Sequence, residues 1–187
     1  MKKKLLADIE NFIPWNDQER ADRALMLKLL SGAGDLSRRE NPEAHLTASA
    51  WVVSPDRSRV LMAYHNLYDS WAWLGGHADG DWDLRRVAEK EAREESGLEA
   101  IMPLSDGILS LEILTVVGHE KRGAYVPGHL HLNVTYLFEG DTDKPLRHKP
   151  DENSRVGWIP VAEIPQKSTE TWFVERIYKK LVEKTRR

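Results

Sequence analysis

The chain has 187 residues, 41% of them hydrophobic, a net charge of −3 and no cysteine, which fits one domain with a sizeable core and excludes disulfides and thiolate zinc sites. No run approaches the roughly 18 apolar residues of a membrane span, and Asp8, Glu10 and Asn11 interrupt the apolar stretch behind the basic start. Because there is no basic excess for nucleic acid, we expect a cytoplasmic protein with no stable nucleic-acid or membrane partner.

The start of the chain predicts two helices, which Pro14 separates. Asn16, with Glu19 three residues later, matches a capping box for the second helix. This helix runs through ALMLKLL and ends at SGAG, and a polar linker follows. We therefore expect residues 1–34 to form a helical N-terminal extension and residues 35–187 to form the main domain. The extension is also a candidate element for forming a homodimer.

From Leu46 the hydrophobic period changes to that of strands. LTASAWVVS and RVLMAYH, joined by the turn SPDRS, predict a β-hairpin. A helix is then predicted from about Asp83 to Gly97, followed by strands and an amphipathic closing helix. The remaining strand candidates are Ile108–Gly118, Val126–Glu139 and Val156–Ile159. This order of elements predicts an α/β layered domain with a mixed sheet.

The helix between Asp83 and Gly97 has an acidic face on its apolar side. At about 100° per residue, Glu91, Glu94 and Glu95 fall on the side marked by Leu84 and Val87. Glutamates at i and i+4 repel by roughly 0.2–0.5 kcal/mol, and turning them inward adds a desolvation cost. A hard divalent cation such as Mg²⁺ or Mn²⁺ removes both costs. The spacing therefore favours a metal site over the alternative, a solvated charged face.

The loop before this helix, GGHADGDWD, contains glycines whose backbone can approach an ion or a phosphate closely. Loop and helix together, over Gly76–Leu98, resemble the Nudix box, G-x5-E-x7-R-E-U-x-E-E-x-G-U, where U is a bulky aliphatic residue. The matching positions are Gly76, Glu91, Glu94, Glu95, Gly97 and Leu98. Trp82 stands where the first glutamate of the pattern belongs, Lys90 replaces its arginine, and Ala92 is smaller than the usual aliphatic residue.

The resemblance implies a Nudix-like α/β/α sandwich with a mixed sheet, to which the N-terminal helices are an addition. It also implies a hydrolase that cleaves a diphosphate linkage in a nucleoside diphosphate derivative or similar small molecule, with Mg²⁺ (or Mn²⁺) as cofactor. By the same resemblance, Glu91, Glu94 and Glu95 are catalytic, and they hold the metal together with the Gly76 carbonyl. Lys90 would orient these carboxylates by analogy, although its helical angle points it away from them.

Several acidic residues are candidates for completing this site. Asp79, Asp81 and Asp83 surround Trp82 and are candidates for the carboxylate that it replaces. Outside the box, Glu120 and the adjacent pair Asp151 and Glu152 are candidates for a general base or a further ligand. The alternative for the last pair is an ordinary acidic turn.

The segment YVPGHLHLNVTYLFEG predicts a strand with a polar face made by His129, His131, Asn133 and Thr135. We expect this face to line a cleft, in which His129 and His131 bind substrate or metal, with ordinary hydrogen bonding as the alternative. Lys121 and Arg122 in the preceding loop are candidate counter-charges for phosphate, with a simple exposed loop as the alternative.

Two functions of different classes follow from these residues. The first is the metal-dependent hydrolase. The second is a Nudix-fold module that binds nucleotides or ADP-ribose without turnover, and it is motivated by the departures at Trp82 and Lys90.

Overall fold

The elements of the fold come from a computed structural model that describes residues 1–66, 69–121, 123–150 and 153–186. In chain order they begin with α1 (Lys2–Asn11), α2 (Asp17–Leu30), β1 (Ala44–Val53), β2 (Arg59–His65), β3 (Ser70–Ala72), β4 (Leu74–His77) and α3 (Leu84–Ser96). The next strands are β5 (Ile101–Pro103), β6 (Ser110–Val116), β7 (His119–Lys121), β8 (Ala124–Val126), β9 (His129–Gly140) and β10 (Asn153–Pro160). The chain then forms a 3-10 turn (Val161–Glu163), α4 (Ile164–Lys167), α5 (Thr171–Phe173), a π-helical turn (Val174–Tyr178) and α6 (Lys179–Thr185).

A mixed sheet of eight strands is built around the parallel pair β1 and β9. The strand order is β10-β2-β1-β9-β5, with β3 beside β2, β4 beside β1 and β6 beside β9. All of these other pairs are antiparallel. Strands β7 and β8 form a separate hairpin.

Side chains alternate between the two faces of β1 and divide the apolar core into two layers. On one face, Leu46 and Ala48 pack with apolar residues of α1, α2 and α3. On the other face, Trp51 and Val53 pack with the C-terminal helix, including Ile177 of the π-helical turn. The prediction of an α/β sandwich with a mixed sheet and N-terminal helices is therefore confirmed. No helix in the described ranges is long and apolar enough to span a membrane.

Both N-terminal helices are anchored in this core, and α2 is also capped by a side chain. Ile9 of α1 and Met26 of α2 are fully buried. The predicted cap of α2 forms, since Asn16 Oδ1 accepts a hydrogen bond from the Glu19 backbone N–H at 2.9 Å. The capping box also predicts that the Glu19 carboxylate accepts a hydrogen bond from the Asn16 N–H. This part of the prediction was wrong, because the carboxylate accepts from the Trp15 N–H at 2.7 Å instead. The division at residue 34 stays a prediction.

One predicted strand is interrupted in the structure. The segment Val126–Glu139 does not form a single strand, because β8 ends at Val126 and β9 begins at His129. Pro127 and Gly128 lie between them, and proline, which lacks an N–H to donate, weakens strand pairing. The prediction of one continuous strand was therefore wrong at its start. His129 is therefore the first residue of β9, directly after this break.

Candidate active site

Strand β4 and helix α3 bring the glycines and glutamates of the box together. A Cβ atom on Gly76 would lie 2.6 Å from Cδ of Glu91, so glycine is needed for this carboxyl group to pack against the strand. One turn further along α3, Glu95 Oε2 accepts a hydrogen bond from the Gly75 N–H at 2.9 Å. Two of the predicted site carboxylates therefore contact the backbone of the glycine-bearing strand.

The ends of α3 are fixed by the residues on either side of it. Asp83 caps the start, where its Oδ1 accepts a hydrogen bond from the Arg86 N–H at 3.2 Å. Gly97 ends the helix with a φ of 66°, in the left-handed region that favours glycine. This phasing buries Glu95 and exposes 16% of the Glu91 side chain and 43% of that of Glu94. Glu95 and Glu91 thus face the protein as predicted, whereas the inward orientation predicted for Glu94 was wrong, because this residue is exposed at the rim.

Lys90 contacts the carboxylates that it was expected to point away from. Its Nζ lies 3.7 Å from Glu91 Oε1 and 3.5 Å from Glu94 Oε1. Lys149 Nζ approaches the other oxygen of Glu94, Oε2, to 3.8 Å. The expectation from the helical angle was wrong, because the flexible lysine stem carries the ammonium group back toward the neighbouring turn. Lys90 and Lys149 therefore supply positive charge beside Glu91 and Glu94.

Trp82 is a packing residue at the position of the missing glutamate. It is partly buried against the main core, and Lys2 Nζ lies 5.2 Å from the centre of its ring. Replacing a carboxylate by this indole therefore exchanges a possible ligand for contacts with the core and with α1.

The three aspartates around Trp82 have partners outside the glutamate cluster. Arg39 donates from Nε to Asp79 Oδ1 at 2.7 Å, and this hydrogen bond holds the pKa of Asp79 below its ordinary value. Asp81 Oδ2 accepts from Arg86 Nη2 at 2.7 Å, and Asp83 is the helix cap described above. The expectation that one of them compensates for Trp82 is not supported by these contacts.

Four histidines from three strands form a second cluster, which consists of His45, His77, His129 and His131. Five pairs of their rings have centroids 4.7 to 5.1 Å apart. One ring nitrogen each from His45, His77 and His131 lies within 4.8 Å of the other two. Across the described part of the chain, no other set of three or more His, Asp or Glu side chains converges in this way.

Two rings of the histidine cluster are held in their neutral, unprotonated form. Burial lowers the pKa of His131 to about 2, assisted by repulsion from His77, His45, His129 and Arg39. Burial also lowers the pKa of His45, although its contact with the Asn41 carbonyl opposes this shift. Both imidazoles are therefore neutral near pH 7.

Only half of this cluster was identified from the sequence. His129 and His131 were predicted to bind substrate, and the structure places both in the cluster; their substrate contacts stay a prediction. His45 and His77 were missed, because they come from distant strands. The register of β1 with β9 sets His45 opposite His131, and β4 sets His77 opposite Thr47. The one available signal was that His77 directly follows the first glycine of the box.

The polar face of β9 does not line a cleft along its whole length. Asn133 and Thr135 are fully buried, and both hydrogen-bond to Glu112 Oε2 at 3.0 Å. Asn133 Oδ1 also accepts from Ser49 Oγ at 2.9 Å. The cleft-lining prediction was wrong for these two residues, because neighbouring strands supply polar partners that satisfy them inside the protein.

Four other predicted site residues are outside the described side chains. Lys121 ends β7, but its side chain is not described, and Arg122, Asp151 and Glu152 lie outside the described residues. Their proposed roles therefore stay predictions. Glu120 is described and is exposed on β7.

Comparisons with known proteins agree with this geometry. The family model of the NUDIX domain matches residues 43–181, whereas no curated protein matches the sequence significantly. Among solved structures, a C. elegans Ap4A hydrolase has a TM-score of 0.54 at 16% identity, covering 75% of this chain and 94% of its own. RenU, a Nudix hydrolase from M. smegmatis, has a TM-score of 0.54 at 14% identity, covering 83% and 96%. A NUDIX hydrolase from Nitrosomonas europaea has 0.53 at 16% identity, covering 75% and 87%.

Proposed function

This chain belongs to the Nudix family, and from that premise we propose that it is a divalent-metal-dependent hydrolase of a diphosphate linkage in a nucleoside diphosphate derivative or similar small molecule. The observation that carries the proposal is the contact between the backbone of β4 and the carboxylates of α3. Gly76 makes room for Glu91, and the Gly75 N–H holds Glu95. Such an arrangement presets carboxylate positions before substrate arrives.

In this proposal, Glu91, Glu94, Glu95 and the Gly76 carbonyl would hold Mg²⁺ or Mn²⁺. A bound ion of this kind neutralises the charge of a diphosphate and lowers the pKa of water. One carboxylate of the set, or a carboxylate outside the box, accepts the proton of the attacking water. Lys90, close to Glu91 and Glu94, keeps these two side chains near each other.

The phosphate groups of the substrate also need protein contacts other than the glutamates, which carry the same negative charge. We propose Lys121 and Arg122 as counter-charges for the substrate phosphates, by analogy with other phosphate sites. His129 and His131 are the proposed contacts on β9, where both are half-buried.

A hydrolysis screen tests the proposal directly. The panel contains nucleoside triphosphates, ADP-ribose, and two compounds named with structurally similar hydrolases, Ap4A and dihydroneopterin triphosphate. We expect phosphate, diphosphate or nucleoside monophosphate release with Mg²⁺ or Mn²⁺, and a fall of about 100-fold or more in Glu91→Gln. Glu89→Gln is the matched control, because Glu89 lies on the same helix and pairs with Arg93 at 2.6 Å instead. Equal rates for wild type and Glu91→Gln would refute the proposal.

A binding module without turnover is the second candidate, and Trp82 favours it because that residue removes one carboxylate of the family pattern. This function predicts a raised melting temperature with ADP-ribose or a nucleotide, and no product after hours with Mg²⁺ or Mn²⁺. Rapid metal-dependent turnover of any compound in the panel rules it out.

A further inference from the structure

We infer that His45, His77 and His131 form a site for a transition-metal ion of the Zn²⁺ type, separate from the carboxylate site. The four rings gather around the ends of β1, β4 and β9, and the three named residues supply one nitrogen each within 4.8 Å of the others. His129 borders the site, with its Nε2 at 3.2 Å from Nε2 of His131. Three protein ligands and one open position are the usual composition of a reactive zinc site.

The spacing of the nitrogens is close to what such an ion requires. Zn–N bonds of about 2.0–2.1 Å separate two ligands of a tetrahedral site by roughly 3.3 Å. The nitrogens of His45, His77 and His131, within 4.8 Å of one another, need to close by at most about 1.5 Å, which small side-chain rotations supply.

Hydrogen bonds orient two of the rings as they do in metal sites. A carbonyl oxygen only accepts, so Nδ1 of His45 donates to Asn41 O at 3.3 Å, and Nδ1 of His129 donates to Pro127 O at 2.8 Å. In a neutral ring this leaves the lone pair on Nε2. Backbone carbonyls commonly fix metal-binding histidines in this tautomer.

His45 supplies the second, independent observation. It is 3% exposed, and its Nε2 is buried without a hydrogen-bond partner in the described part of the chain. A buried acceptor left unsatisfied costs about 1–3 kcal/mol. Coordination of a metal ion by this nitrogen removes that cost, whereas a purely structural stack of histidines does not.

The two sites lie on opposite faces of β4. Gly76 turns toward Glu91 of α3, and the next residue, His77, contacts His45 and His131. The donor chemistry also differs, because imidazole nitrogens favour Zn²⁺, Co²⁺, Ni²⁺ or Cu²⁺ whereas carboxylates favour Mg²⁺ and Mn²⁺. Nitrogen-selective ions therefore bind at the histidines independently of Glu91. In this arrangement the proposed contact between His131 and the substrate would run through the bound ion.

Metal binding to the full-length, tag-free protein tests the inference without any substrate. The protein is stripped with chelator, titrated with Co²⁺ in excess Mg²⁺, and followed by visible absorption, with bound Zn²⁺ counted by elemental analysis. We expect one equivalent of each ion and the absorption of Co²⁺ in tetrahedral nitrogen coordination. His77→Ala and His131→Gln should each weaken binding by more than about 100-fold, since even partners outside the coordination shell contribute about 10–100-fold.

Two control variants give the experiment its specificity. His119→Ala removes an imidazole that lies outside the cluster and contacts Val117 O, so it should bind Co²⁺ like wild type. Glu91→Gln should also bind Co²⁺ like wild type, because its carboxylate belongs to the other face of β4. Circular dichroism without metal checks that each variant is folded. If His77→Ala is unfolded, the test depends on His131→Gln alone.

Three outcomes would overturn the inference. They are no stoichiometric Co²⁺ or Zn²⁺ in wild type, unchanged binding in both folded histidine variants, and loss of binding in Glu91→Gln with retention in His77→Ala. The last result would place the ion at the glutamates. Because the assay contains no substrate, its failure leaves the proposed hydrolysis untouched, and an inactive enzyme leaves this site untouched.

Discussion

Gly76 is the residue on which the position of Glu91 depends most directly. In Gly76→Ala the new Cβ would lie 2.6 Å from Cδ and 2.8 Å from Oε2 of Glu91, so the carboxylate has to move. Since displacements of about 1 Å cost about 100-fold in rate, we expect kcat/KM to fall by about 100-fold. The free energy of unfolding should change by less than about 1 kcal/mol, because the atoms that yield belong to the end of a flexible side chain. Steady-state kinetics and urea unfolding measure the two effects.

Gly107→Ala is the matched control for this substitution. A Cβ at Gly107 meets no atom within 4 Å, so activity and stability should both stay near wild type. A Gly76→Ala enzyme with wild-type kcat/KM would contradict the dependence of turnover on the close packing of Glu91 against Gly76.

At this scale the sequence predicts contacts within one motif better than contacts between strands. Fixed spacing along a helix sufficed to place Glu91 and Glu95 against the protein. It did not place Lys90, whose four-carbon side chain reaches Glu91 and Glu94 against its helical angle. It also missed His45 and His77, because strand pairing, rather than local period, brings them to His131.

The direction in which the chain leaves helix α3 depends on Gly97, the residue that follows its last residue, Ser96. Gly97 has a φ of 66°, and a Cβ there would lie 2.9 Å from Cβ of Arg147 and 3.2 Å from its backbone. A left-handed conformation costs an ordinary residue about 1–2 kcal/mol. We therefore expect Gly97→Ala to lower the free energy of unfolding by more than about 2 kcal/mol, since steric displacement of the Arg147 backbone adds to the strain.

Gly123→Ala separates strain from steric contact. Gly123 has a φ of 78°, but a Cβ there meets nothing within 4 Å, so only the cost of about 1–2 kcal/mol applies. Both variants are compared by urea unfolding. Equal losses in the two would mean that the contact with Arg147 contributes nothing.

Elements with a clear local signal were predicted closely, and interruptions were not. The strand RVLMAYH matches β2, Arg59–His65, residue for residue, because apolar residues and turn residues mark both of its ends. The break between β8 and β9 was not predicted, although Pro127 carries a signal for it. The alternation of polar and apolar residues continues through that proline, so this pattern did not reveal the separate hairpin of β7 and β8.

At the scale of the whole molecule, the N-terminal helices contribute side chains to the main apolar core. Ile9 of α1 is 0% exposed and packs in the same cluster as β1 and α3. We expect Ile9→Ala to lower the free energy of unfolding by about 2–5 kcal/mol within a single cooperative transition. Ile13→Ala is the control, because Ile13 is 86% exposed, and its effect should be within about 0.5 kcal/mol. A separate early transition would instead indicate that residues 1–34 unfold on their own.

A buried ionic network joins α2, β6 and α6. Glu19 is 0% exposed, and its oxygens lie 2.9 Å from Lys184 Nζ, 3.3 Å from Lys180 Nζ and 2.6 Å from Ser110 Oγ. Burial favours the neutral form of Glu19. The charge of Lys180 and the hydrogen bonds from Lys184, Ser110 and the Trp15 N–H outweigh burial, so the pKa of Glu19 lies below its ordinary value of 4.5.

This shift makes a pH-dependent contribution to stability. A carboxyl group with a lowered pKa stabilises the fold fully above its unfolded value of 4.5, and that contribution is lost as pH falls through the folded pKa. At pH 7, Glu19→Gln should cost about 3 kcal/mol, because it leaves buried lysine charge with one partner fewer. The difference from wild type should then shrink as the pH falls below 4.5 and through the folded pKa, where wild type itself becomes protonated.

Urea unfolding of both proteins at a series of pH values measures this difference. Asp17→Asn is the matched control on the same helix, since 94% of the Asp17 side chain is exposed beside Arg20. Its effect should be near zero at every pH, because exposed ion pairs contribute little. A Glu19→Gln protein as stable as wild type at pH 7 would contradict a stabilising charge at this position. A difference that stays constant throughout acid titration below pH 4.5 would show that packing, rather than the ion pairs with Lys180 and Lys184, ties α2 to α6.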